Sequence, residues 1–243
     1  MTKVNYEDDS IIASVHAKKE LMAMVIDYHG EDVREVEKQY LSSFYKIPEE
    51  NVFFLQQTHG IQAVKVATQD TIHNKKILFT EGDALYTEDA GLLLCIRTAD
   101  CLPVFFKAEC MEGNRSKFVV GIIHAGWRGL YNGIIEHTLT KITQTSNVNR
   151  IDLFMGPCIG AKAYEVGEEV ADLFPLKEKI SENKYLLDLR TNAELKIQNI
   201  SNLQVHLNKN IFNGCTFNEN NLYFSHRKQD TARNLNIILL KGA

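Results

Sequence analysis

The chain has 243 residues, 44% of them hydrophobic and 24% charged, with a formal net charge of −4. This composition excludes a collagen, a disordered polymer and a disulfide-stapled miniprotein; a chain of this length buries roughly 70% of its unfolded surface without staples. The mild acidity leaves no basic excess to neutralise a nucleic-acid backbone, so no nucleic acid is expected as a partner, although a small anion needs only a local cluster of cations.

The first marked pattern is 32–45, where Val33, Val36, Tyr40, Leu41 and Phe44 share one helical face with charges between. A short apolar strand follows over 51–55, and 63–67 has the alternation of a half-buried strand. Two apolar runs, 91–98 and 102–106, are interrupted by Ala99-Asp100-Cys101. A buried strand over 118–124 ends in Ala125-Gly126-Trp127-Arg128-Gly129, read as a turn, ahead of a helix over 134–143. The run 151–155 reads as a strand ending at Gly156-Pro157. Helices are expected over 167–173 and 191–199, the second with Thr191 as N-cap and Glu194 three residues on. A last strand covers 235–240. Strands and helices interleave, so the class is α/β or α+β. One domain is the expectation, since only four prolines, no repeat and no low-complexity linker break the chain.

The apolar runs fall far short of the roughly 20 residues a membrane span needs, so no membrane is expected. Glu7, Asp8 and Asp9 stand where a signal peptide has a basic start. The expected setting is the cytoplasm. With no apolar repeat or heptad, a monomer is expected. The five cysteines, odd in number and without CxxC spacing, read as free thiols, buried spacers or metal ligands.

Residues that could carry chemistry gather at strand ends. His59, Cys101 and His124 each sit beside small or turn-forming residues. Three such ligands with one open position make a catalytic zinc site, and their donor types favour zinc or copper over magnesium. They come from distant segments, so spacing says little, and on composition a buried cysteine and two hydrogen-bonded histidines are the commoner arrangement. Asp83 and Asp100 adjoin apolar runs. Each fits a turn carboxylate, an orienting partner for a ligand histidine, or a general acid/base. Arg128 follows the only tryptophan in a glycine-flanked turn, and fits an anion contact or a surface ion pair. Cys158 fits a packed thiol or, with a histidine near, a nucleophile. The polar run 225–233 is a solvated loop or an anion-binding element.

Five segments occur in order: Gln57-Thr58-His59-Gly60, Gly82-Asp83-Ala84-Leu85, Thr98-Ala99-Asp100-Cys101-Leu102-Pro103, His124-Ala125-Gly126-Trp127-Arg128-Gly129 and Gly156-Pro157-Cys158-Ile159-Gly160. Phe224-Ser225-His226-Arg227 and Arg233 precede the last strand. In these segments the chain resembles the laccase-domain family, once called multicopper polyphenol oxidases and now read as purine nucleoside phosphorylases with adenosine deaminase activity. The resemblance implies a single α/β (α+β) domain over 1–243, layered, with a central mixed sheet and flanking helices, and not a cupredoxin. It implies that His59, Cys101 and His124 bind one metal, usually zinc, with copper the other candidate. The implied reactions are phosphorolysis of adenosine, inosine or methylthioadenosine to free base and (methylthio)ribose 1-phosphate, and deamination of adenosine to inosine. The partners are then small molecules, a nucleoside and phosphate.

On that reading Asp100 or Asp83 serves as the proton shuttle and Arg128 as a catalytic cation. Arg128, Arg227, Arg233 and Gln57 are assigned to substrate and phosphate. The N-terminus departs from the family. Members commonly carry Phe-Ser-Thr-Arg followed by paired glycines and a serine, where this chain has Ile11-Ile12-Ala13-Ser14-Val15-His16-Ala17-Lys18-Lys19. Either Lys18 or Lys19 substitutes for the arginine or phosphorolysis is weakened, because an ammonium does not reproduce a bidentate guanidinium. His226 stands where the family often has tyrosine. Two other readings remain: copper-dependent oxidation of phenols, and a non-catalytic metal-binding scaffold. The chain has no His-x-His pair of the kind a trinuclear copper centre wants. A fourth protein ligand such as Cys158 would mark a closed, structural site, and an open position on a pocket an enzyme.

Overall fold

The computed structural model describes residues 4–17, 32–113, 115–200, 204–208, 214–218 and 222–242. In chain order its elements are β1 (Val4–Glu7), β2 (Ile11–His16), α1 (Val33–Tyr45), β3 (Val52–Phe53), β4 (Ala63–Lys65), α2 (Asn74–Leu78), β5 (Ala84–Thr87), β6 (Leu93–Thr98), β7 (Leu102–Glu112) and β8 (Arg115–Ala125). There follow α3 (Trp127–Asn132), α4 (Ile134–Thr145), β9 (Val148–Met155), β10 (Glu165–Gly167), α5 (Glu168–Ala171), β11 (Lys177–Ser181), β12 (Lys184–Leu187), α6 (Leu189–Gln198), β13 (Val205–Asn208) and β14 (Asn234–Leu240).

Apolar side chains on both faces of the long strands dictate the layering. Phe105 and Phe106 are neighbours on β7, so they point to opposite faces. Phe106 packs with Val104, Leu130, Ile134 and Leu139, against helices α3 and α4. Phe105 packs with Ile122 and Phe154 of its own sheet and with Ile11, Leu94 and Ile238 of a second sheet. That second sheet turns Leu93, Cys95 and Ile237 outward onto Leu41 of α1. The result is helix, sheet, sheet, helix. The inner sheets run β1-β2-β14-β6-β3 and β13-β9-β7-β8-β5-β4, with a small sheet β10-β12-β11 at one side. Both large sheets are mixed, since β3 and β6, β4 and β5, and β9 and β13 pair in parallel. The expected layered α/β fold is present, with two mixed sheets at its centre.

Several local expectations are corrected. Ile11–His16, noted only as a departure, is a strand paired on both sides, with β1 and β14. Lys18 and Lys19 lie outside the described residues. The expected turn at 125–129 is already helix from Trp127, with Gly126 as its N-cap. Thr191 does not cap α6. Asp188 does, accepting from the backbone N–H groups of Arg190 and Thr191, the bonds a carboxylate at a helix start makes best. The helix expected over 167–173 is only Glu168–Ala171. Among the described residues no helix is long and apolar enough to cross a membrane.

The chain passes from the five-stranded to the six-stranded sheet through Ala99-Asp100-Cys101, between β6 and β7. That crossover brings the loop after β3 and the end of β8 to one rim.

Candidate metal centre and cleft

His59, Cys101 and His124 meet at this rim, with one ligand atom from each lying within 4.8 Å of the others. Two of the turns that deliver them are held in the left-handed region by non-glycine residues, His59 at φ 60° and Asp100 at φ 85°. Such conformations cost about 1–3 kcal/mol each and persist only where the surroundings fix them. Asp83 fixes the first. Fully buried, it accepts from the backbone N–H groups of Thr58 (3.2 Å), His59 (3.0 Å) and Gly60 (2.7 Å). The same carboxylate lies 2.8 Å from His124 Nδ1, which leaves Nε2 as the nitrogen turned to the triad. Asp100 is anchored likewise: Oδ1 accepts from Thr216 Oγ1 (2.6 Å) and Oδ2 from the Arg227 backbone N–H (2.9 Å).

The electrostatics suit a cation. Burial alone would raise the Cys101 thiol, but the His124 charge and hydrogen bonds from both histidines outweigh it and bring the thiol down to about 6. Burial alone would lower His124, yet the Cys101 thiolate and the Asp83 carboxylate lift it to about 9. Asp83 is held below its ordinary value: burial opposes this, and the His124 partner and the loop N–H groups prevail. A thiolate and a buried carboxylate thus flank the imidazole, in surroundings that favour positive charge. Gly126 completes the cradle. A Cβ there would stand 2.8 Å from Cys101 Sγ and 3.3 Å from the His59 ring, so only glycine lets the loop pass this close to the ligands.

Two imidazoles and a thiolate fit zinc or copper and leave a four-coordinate ion one open position. Cys158 does not join the group. It is fully buried, its backbone pairs with that of Cys215 in an isolated bridge, and burial pushes its thiol up to about 12. All three triad residues line a cleft of about 460 Å³. Its walls also carry Gln57, Arg97, Arg233 and His226.

The other expected site residues divide. Gln57 lines the cleft, and its amide clamps the Arg97 backbone, donating to Arg97 O (3.0 Å) and accepting from Arg97 N (2.8 Å). Arg233 lines it too, its Nη1 donating to the carbonyls of Asp230, Thr231 and Ala232. Arg128 is stacked on Trp127 at 4.3 Å. Arg227 lies over Tyr164 at 5.4 Å and donates to Glu165 O. Neither is among the residues that line the cleft. Asp83 and Asp100 stand behind the wall with their oxygens engaged. Sequence reasoning missed Arg97, Arg34 and the buried Glu37 behind Arg97, and gave His226 no role. The one trace was an arginine closing the apolar run 92–96.

The layered fold and the His/Cys/His rim define a class: an α/β protein with three side chains placed to hold a metal, distinct from the cupredoxins. The family model described as multi-copper polyphenol oxidoreductase laccase matches residues 21–241, and the chain belongs to that family. It is 35% identical over 187 residues to "Purine nucleoside phosphorylase YfiH" of Escherichia coli (strain K12), covering 73% of this chain and 69% of that protein. It is 34% identical over 196 residues to a "Purine nucleoside phosphorylase" of Haemophilus influenzae, covering 76% and 72%. The crystal structure of Bacillus licheniformis hypothetical protein YfiH superposes with a TM-score of 0.72 at 26% identity, over 95% of this chain and 93% of that one. That of YlmD from Geobacillus stearothermophilus gives 0.74 at 24% identity, over 99% and 100%, and speaks for the fold alone.

Proposed function

We propose that this protein is a zinc-dependent purine nucleoside phosphorylase. It transfers the ribosyl group of adenosine, inosine or methylthioadenosine to phosphate, and also deaminates adenosine to inosine. The carrying observation is the triad of His59, Cys101 and His124 on the wall of a cleft that also presents arginines. The names of the relatives point the same way. Zinc is the proposed ion because two histidines and one cysteine with an open position are a catalytic zinc set. When bound it supplies a Lewis acid to the cleft.

The chain's own groups do the rest. Asp83 sets the tautomer and angle of His124 and wraps the His59 turn. Asp100 holds the 226–228 turn to the β6–β7 crossover through Arg227 N. With their oxygens committed to donors, both carboxylates act by positioning, not as proton shuttles. His226 is an imidazole that lines the cleft, and it takes the proton-carrying part in deamination. Arginines on the wall take the charge of the phosphate.

The test pairs metal analysis with product identification. The purified protein is expected to hold zinc, and to release adenine from adenosine only when phosphate is present, with inosine forming independently of phosphate. Cys101→Ala should lose metal and both products together. Zinc-loaded protein that yields neither product would overturn the reading. Oxidation of a phenolic dye only with added copper, with nucleosides untouched, would put the oxidase in its place.

A further inference from the structure

Three arginines line the cleft, and their surroundings differ. Arg34 is charge-paired, with each of its three nitrogens making a hydrogen bond. Its Nε and Nη2 bind the two Asp32 oxygens at 3.0 and 2.6 Å, and its Nη1 donates to Leu78 O at 2.7 Å. Arg97 is committed only from behind. Its Nε lies 2.8 Å from Glu37 Oε2, and Gln57 clamps its backbone. Among the described residues its two terminal amino groups have no hydrogen-bond partner, and the side chain is 21% exposed and lines the cleft. Arg233 touches only backbone carbonyls on one edge, and among the described residues it forms no ion pair with a carboxylate.

Arg97 and Arg233 also feel each other. Burial first, and then the Arg97 charge, lower the Arg233 guanidinium. Two like charges line the same cleft as the triad, and among the described residues no carboxylate lines it with them. Planar guanidinium forks match the tetrahedral oxygens of phosphate, and two of them match its two charges. Glu37 is 4% exposed and sits on α1, behind Arg97. It pairs by charge with Nε, on the stem side of the fork, while Arg97 itself lines the cleft.

We propose that Arg97 and Arg233 hold the phosphate dianion that the reaction consumes, and that buried Glu37 is the positioning residue that aims Arg97 at it. This rests on the phosphorylase reading. In the reaction a phosphate oxygen forms a bond to C1′ of the ribose as the C1′–N9 bond breaks. The purine leaves with the bonding electron pair and takes the proton that the phosphate loses. The products are free base and ribose 1-phosphate, and no further reactant is needed. The two forks bind the oxygens that do not attack.

The test uses the metal-loaded full chain and two readouts. Calorimetry measures inorganic phosphate binding without nucleoside, and initial rates give KM for phosphate and for adenosine. Arg97→Gln is expected to weaken phosphate at least roughly tenfold in both, with the adenosine KM within about twofold of wild type. Arg97→Lys should recover part of the loss. Glu37→Gln should raise the phosphate KM several-fold with little change in kcat; a fall would show that Glu37 merely dilutes the charge, and would overturn its positioning role. Wild-type protein that turns over adenosine while Arg97→Gln keeps its phosphate KM overturns the subsite. Arg97-dependent phosphate binding without any release of base supports the subsite and refutes the phosphorylase reading instead. Arg97-dependent binding of AMP, with inorganic phosphate indifferent to the substitution, would assign the dianion to a nucleotide and overturn the assignment to free phosphate.

Discussion

Asp83 shows how much one carboxylate decides at this rim. It closes the His59 turn through three backbone N–H groups and holds His124 by Nδ1, so two of the three triad residues depend on it. Asn at this position keeps the size but has one acceptor oxygen and no charge. Asp83→Asn is therefore expected to weaken metal affinity roughly 10–100-fold, the usual loss when the partner of a ligand histidine is removed. Competition against a chelating dye measures it, and an unchanged affinity would show that the ligands need no such support. The three triad residues stood out in the sequence at strand ends beside turn residues, but only the family resemblance joined them into one metal set. What Asp83 and Asp100 do was not legible there. A carboxylate next to an apolar run is compatible with a shuttle or a clamp, and only the donors around it decide. Those donors arrive from distant segments, such as Thr216 on Asp100.

Between elements, the contact of α1 with β6 carries the least legible part of the site. Glu37 reads in sequence as one more charge on an amphipathic helix, yet it is buried against Arg97. Burial pushes its carboxyl from 4.5 up to about 7, and the nearby Arg97 charge only partly opposes this. The sign follows from which state holds the proton. Below pH 4.5 both the folded and unfolded chains keep it. Between 4.5 and 7 the unfolded chain gives it up first, so stability falls as pH rises, by on the order of 3 kcal/mol in all, and levels off above 7. Glu37→Gln stays neutral throughout and is expected to lack this decline. Urea unfolding at pH 5 and pH 8 measures it; equal slopes for the two proteins would show that Glu37 titrates normally. Stability at pH 8 would then rise where phosphate binding suffers, the usual exchange at a functional site. The strands with long apolar runs, β6 to β9 and β14, were legible from those runs. Strand β11 was not, because all five of its residues are exposed and only pairing with β12 makes it a strand. The same limit applied to α6, whose start is set by Asp188, three residues ahead of the threonine that the capping pattern favoured.

Across the whole molecule, the site ties two sheets together. His59 follows β3 of the five-stranded sheet, His124 ends β8 of the six-stranded one, and Cys101 lies where the chain crosses between them. The sheets already share a buried apolar interface around Phe105, Phe154 and Ile238, so the fold would not depend on an ion at the triad as a zinc finger does. A metal bound to the native state alone adds about 4 kcal/mol when free metal is a thousandfold above Kd. For a chain of this size that is roughly 8–16 °C in Tm. Chelation is therefore expected to lower Tm by about that amount while far-ultraviolet circular dichroism stays native, and Cys101→Ala should melt like the stripped protein with or without chelator. A collapse of the circular dichroism on chelation would make the site structural and favour the scaffold reading. Re-addition separates the remaining alternatives. Copper binds His and Cys donors at least as tightly as zinc, so both ions should restore Tm, and recovery of Tm alone cannot name the working metal. Phosphorolysis returning with zinc and not with copper identifies zinc as that metal; phenol oxidation returning with copper, and nothing with zinc, would reassign the site to oxidative chemistry.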